Sequence, residues 1–162
     1  GFLAAKDYWF DNNFRRRFFK NLINLIPISR KPNPESLDLD DTMTLSKAFM
    51  DLGNNIIIFP EGSRGEVGKI QRFRKGAVKF SMGLDVPILP AAIMGAEKAW
   101  PKGEKFIKPF PITVKVLPKI NPPKTKELSK TAYNKALSKI TKDLEIKISE
   151  AVKELKETKS PD

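Results

Sequence analysis

Apolar positions recur along this chain with two spacings. "GFLAAKDY" at the start reads as a short strand. After Asp11, Phe14, Phe18, Leu22 and Ile26 fall every fourth residue, and Phe19, Ile23 and Leu25 widen that stripe. Arg15, Arg16 and Lys20 lie largely off it, so the pattern predicts an amphipathic helix with a basic side, ended by Pro27. "KPNPESLDLDD" is loop by its prolines and acids. Asp41 or Thr42 is placed to cap a helix running through Leu45, Ala48, Phe49 and Leu52, with Gly53 as its stop. "NIIIFP" predicts a wholly apolar strand of the kind buried in a parallel sheet, and "EGSRGEVGKIQRFR" a glycine-bearing loop. "KGAVKFSMG" predicts a short helix ending at Gly83, and "DVPILPAAIMG" a second buried strand. "AEKAWPKGEKFIKPFP" reads as loop, and "ITVKVLPKI" alternates as a sheet-edge strand does. From Leu128, the series Ala132, Ala136, Ile140, Leu144, Ile148, Val152 and Leu155 marks a long amphipathic helix, with "TKSPD" fraying off its end.

Strand, helix, strand, helix, strand is the order of an α/β fold: a mixed, largely parallel sheet flanked by helices. The chain enters its first strand without preamble, so the sheet is expected to be incomplete at the N-terminus. Residues 1–120 read as the core and 121–162 as the C-terminal helix and tail. In parallel sheets ligands gather at the carboxyl ends of strands. "IIIFPEGSRGE" puts Glu61, Gly62, Ser63 and Arg64 at such an end. Arg64 offers a planar fork that matches phosphate oxygens, Gly62 permits close backbone approach, and Ser63 adds a hydroxyl donor. Glu61 repels phosphate, so its part is to orient an arginine or the backbone. The same residues also suit a plain strand, turn and surface ion pair.

Charge narrows the partners. Thirty Lys and Arg against nineteen Asp and Glu give +11, which favours nucleic acid, an anionic membrane face, phosphorylated substrates or an acidic carrier protein. The positives are scattered and no nucleic-acid module is visible, so nucleic acid is not expected as a partner. Mean hydropathy is −0.37, and no apolar run approaches the roughly 20 residues that span a bilayer. With no cysteine, disulfides and thiolate chemistry are excluded. With no histidine, the usual neutral-pH general base and zinc ligand are missing too. Asp38, Asp40 and Asp41 suit solvated helix-start positions better than a cation site, and no metal site is expected. The basic helix around "FRRRFFK" fits a membrane surface and packing on the sheet equally well.

Four blocks in order then carry a resemblance. "FPEGSRG" resembles the FPEGTR block of the glycerolipid acyltransferases, the glycerol-phosphate and 1-acylglycerol-3-phosphate acyltransferase superfamily. "VPILPAAI" resembles the later V-P-I-x-P-V-x-I strand, and "FRKGA" stands where F-K-x-G-A is usual. "NLIPISR" is similar to G-x-x-F-I-x-R, with Asn24 and Pro27 in place of the glycine and phenylalanine. The resemblance implies transfer of a fatty acyl group from acyl-CoA or an acyl carrier protein to the hydroxyl of a lysophosphatidate-like acceptor, in phospholipid biosynthesis or remodelling, with no cofactor. It assigns Arg30, Glu61, Gly62, Ser63 and Arg64 to the acceptor phosphate. Lys75 is left between phosphate contact and a solvated helix start, and Pro87 and Pro90 shape the strand or acyl site. The family's catalytic block, N-H-x-x-x-x-D, has no counterpart here. The expectation is therefore an N-terminally truncated domain that is inactive alone, acting at the cytoplasmic face of a membrane, peripheral or anchored through the missing part. A non-catalytic phospholipid-binding relative is the alternative.

Overall fold

The structure is a computed structural model that describes residues 2–5, 25–28, 39–62, 69–101, 104 and 106–158. Its contacts fall into two compact units, Gly1–Ile58 and Phe59–Asp162.

In the first unit, β1 (Phe2–Ala5) and β2 (Leu25–Ile28) pair in parallel, Phe2 opposite Leu25 and Ala5 opposite Ile28. The amphipathic pattern assigned Leu25 and Ile26 to a helix; both belong to β2 instead. The backbone there is drawn out by pairing with β1, and Pro27, which would break a helix interior, is tolerated in a short strand with one neighbour among the described residues. The rest of that predicted helix lies outside the described residues. Helix α1 (Leu39–Asp51) lies against β2. It starts before Thr42, so Thr42 is no cap: it is buried, and its carbonyl accepts a hydrogen bond from the Ser46 hydroxyl at 2.7 Å. The buried side of α1 carries Thr42 and Ser46, whereas Leu45 and Leu52 are exposed. The apolar stripe thus mistook the inward face. Gly53 stops the helix as expected, with positive φ and its N–H on the Met50 carbonyl at 2.8 Å.

The run "NIIIFP" is extended but is not a buried strand. Among the described residues it registers a bridge at Ile57 alone, and Ile57 and Phe59 are about half exposed, at 46% and 56%. Apolar side chains on both faces fit a central strand only where neighbours flank both edges, and this run meets Pro60 and a turn at once.

The second unit is built on α4 (Lys130–Glu157), whose N-cap Ser129 accepts from the Ala132 N–H. Leu137 and Leu144 of α4 bury against Phe73 and against Val78 and Met82 of α2 (Gly76–Leu84). Ile140 and Ile148 flank this cluster, in agreement with the predicted stripe. Helix α2 ends at Asp85, in left-handed geometry, two residues beyond the predicted stop. Strand β3 (Ala91–Met94) pairs antiparallel with β4 (Thr113–Val116). The pairing continues back through Pro90 and Leu117 to Ile88 and Ile120. Ala92 is fully buried on the face that meets α4; Ile93, Val114 and Val116 face outward and are exposed. The second predicted strand is therefore real, but buried on one face only. "AEKA" forms a single turn, α3 (Ala96–Ala99), where loop was expected.

The molecule is α/β, with one parallel and one antiparallel strand pair among the described residues. No described helix is long and apolar enough to cross a membrane.

Candidate functional site

Pro60 and Glu61 form a turn, and Gly62 follows at φ +73° with its N–H on the Phe59 carbonyl at 3.1 Å. Such a φ costs any residue with a Cβ, so the glycine is there because the backbone turns left-handed. Two hydrogen bonds donated by main-chain amides then fasten residues 71–74 to this turn. The Gln71 N–H donates to Glu61 Oε2 at 2.8 Å, and the Arg74 N–H donates to the Pro60 carbonyl at 2.8 Å. On the other side, the Phe73 N–H donates to Glu145 Oε2 of α4 at 2.7 Å. Amides of one short segment thus reach both the turn and the helix. Glu61 orients backbone, one of the two parts its chemistry allowed.

Of the residues assigned to the acceptor phosphate, the structure brings together Glu61 and Gly62; Arg30, Ser63 and Arg64 lie outside the described residues. Lys75 sits just before α2, and its ammonium donates to the Ser138 hydroxyl of α4 at 2.8 Å. Its neighbour takes the place beside the turn. A Cβ built on Gly62 would lie 2.9 Å from Arg74 Nε, 3.1 Å from Cδ and 3.4 Å from Cζ, so the Arg74 side chain covers the open face of the glycine. Sequence reasoning passed over Arg74; the clue was its place in "FRKGA", one residue before the lysine that drew attention. Pro90 is buried and its carbonyl accepts from the Leu117 N–H at 2.9 Å, which makes it the first link of the β3–β4 ladder. Pro87 is exposed.

Among the described residues no group of three carboxylates could hold a metal ion. Chemically, the turn offers a carboxylate tied to backbone, a glycine without a side chain and a solvent-facing guanidinium, which suits holding an oxyanion.

The chain is similar in sequence to several known proteins. The chain is 43% identical over 67 residues to the 1-acyl-sn-glycerol-3-phosphate acyltransferase of Limnanthes douglasii, covering 41% of this chain and 24% of that protein. It is 33% identical over 85 residues to the enzyme of the same name from Cocos nucifera, covering 52% and 27%. The mouse 1-acyl-sn-glycerol-3-phosphate acyltransferase alpha is 27% identical over 101 residues, covering 62% and 35%. The chain therefore spans about a quarter to a third of the length of these relatives. The fold matches the crystal structure of the 1-acyl-sn-glycerophosphate acyltransferase PlsC from Thermotoga maritima, with a TM-score of 0.54 at 21% identity, over 92% of this chain and 56% of that one. Residues 1–94, more than half of the 162, match the profile of the family described as Acyltransferase. This chain belongs to that acyltransferase family.

Proposed function

We propose that this chain is the acceptor-binding part of a 1-acylglycerol-3-phosphate acyltransferase. The observation that carries the reading is the match over residues 1–94, which includes the Glu61–Gly62 turn. Arg64, Arg30 and Ser63 hold the acceptor phosphate, Gly62 lets the turn adopt its left-handed geometry, and Glu61 keeps that turn in shape through Gln71. The acceptor hydroxyl attacks the thioester carbonyl of acyl-CoA or an acyl carrier protein. The C–O bond forms, the C–S bond breaks, and the hydroxyl proton passes to a general base. The histidine base that the family resemblance implies is absent from these 162 residues, and on this reading the polypeptide alone is inactive. No cofactor takes part. The sheet is largely parallel when complete, and the enzyme works at the cytoplasmic face of an anionic membrane, to which a charge of +11 draws it.

The test is acyl transfer by the enzyme that carries this chain. Arg64→Ala raises the KM for lysophosphatidate about tenfold or more, the loss of one charge-assisted hydrogen bond, and leaves the KM for the acyl donor unchanged. An acceptor KM equal to that of the unaltered enzyme rejects the phosphate assignment. The missing histidine also favours a second reading, a phospholipid-binding relative without catalysis. An N-H-x-x-x-x-D block encoded in frame ahead of residue 1 sinks it.

A further inference from the structure

Arg74 is exposed, and its backbone is fixed at the turn. Its main chain is pinned by the hydrogen bond to Pro60, and the residues before it by those from Gln71 to Glu61 and Phe73 to Glu145. The side chain lies along Gly62, where Nε, Cδ and Cζ are the nearest atoms to the point a Cβ would occupy. Glu61, the carboxylate next in sequence to Gly62, takes the Gln71 amide. Among the described residues no carboxylate forms an ion pair with Arg74; the ion pairs present there are Lys47–Asp51, Lys108–Glu104, Lys115–Glu154 and Lys153–Glu157. A guanidinium lying along a stretch of backbone without a side chain, its charge uncancelled by any described carboxylate, is arranged for an anion that comes from outside. Lys75, the adjacent cation, is turned to Ser138 and does not compete for that place.

We infer that Arg74 is a further phosphate-binding residue of the acceptor site, its guanidinium set over Gly62 to take the phosphate of the incoming lipid. The inference rests on the acceptor-site reading and adds to it a residue and a reason for the glycine. A side chain at 62 would push the guanidinium aside. A guanidinium is also the fitting group here, since its donors form a rigid fork matched to phosphate oxygens, which a lysine lacks.

The experiment is direct binding of a short-chain, water-soluble lysophosphatidate to this chain by titration calorimetry, with the matching lysophosphatidylcholine as comparison. Arg74→Ala weakens lysophosphatidate binding about tenfold or more, the equivalent of one charge-assisted hydrogen bond. It leaves the phosphocholine lipid and the unfolding midpoint unchanged. Arg74→Lys restores part of the loss, and Arg72→Ala, which removes another exposed cation, has no such effect. If Arg64→Ala weakens binding while Arg74→Ala does not, the assignment of Arg74 is wrong and the acceptor site stands. If Arg74→Ala weakens both lipids by the same factor, Arg74 is structural only. If the unaltered chain binds no lysophosphatidate, both readings fall together.

Discussion

A methyl group at position 62 meets two obstacles. The first is conformational: φ of +73° costs a residue with a Cβ about 1–2 kcal/mol. The second is the Arg74 side chain, 2.9 Å away at its closest. That side chain is flexible at its far end, so it yields and the second obstacle becomes a loss of function more than of stability. Gly62→Ala is therefore expected to lower the unfolding free energy by about 1–2 kcal/mol in urea denaturation, and to lose lysophosphatidate binding besides. Glu145 gives a complementary case. Its carboxylate accepts the Phe73 N–H, and Phe73 is buried. Glu145→Ala leaves that amide unsatisfied and costs about 1–3 kcal/mol, whereas Glu145→Gln keeps an acceptor oxygen and costs less. Equal losses for the two variants in urea denaturation would show that the bond contributes nothing.

Ser129 caps α4, so Ser129→Ala is expected to cost about 1 kcal/mol. Leu144 is almost fully buried in the cluster with Phe73, Val78 and Met82, and Leu144→Ala is expected to cost about 2–5 kcal/mol, read from the midpoint of thermal unfolding. Gly95, at φ +93° between β3 and α3, is the harshest position. A Cβ there would lie 2.1 Å from the Pro111 carbonyl oxygen, and backbone cannot swing aside as an arginine can. Gly95→Ala should thus destabilise more than Gly62→Ala; a smaller effect would contradict this packing.

Elements with a clean four-residue period and a polar remainder, such as α4, were legible in the sequence, because one buried face is all that such a helix needs. Helix α1 was legible in extent and misread in orientation. Of its small buried residues, Ser46 satisfies its hydroxyl on the Thr42 carbonyl within the helix, and hydropathy alone ranks Leu45 and Leu52 above both. "NIIIFP" misled because apolar content does not provide strand neighbours. At the site, the carboxylate–glycine turn was readable from Glu61 and Gly62. Which of the successive cations Arg74 and Lys75 faces that turn was not: Ser138, sixty-three residues on, draws Lys75 away, and no local pattern reports so distant a partner.

For the molecule as a whole, +11 is a long-range property. The chain should sediment with vesicles containing anionic phospholipid and stay in solution with purely zwitterionic ones. Raising salt to about 1 M shortens the screening length to about 3 Å and should release it. Retention at that salt would point to apolar insertion in place of charge. The bond between Phe73 and Glu145 ties the turn's segment to the C-terminal helix. The family profile stops at residue 94, but the helix that buries Phe73, Val78 and Met82 lies beyond it. A gene fragment cut at that border, or a chimera joined there, would carry the recognisable motif and leave its supporting core open to water. Exchanges between relatives should take the Glu61–Gly62 turn and the C-terminal helix as one cassette.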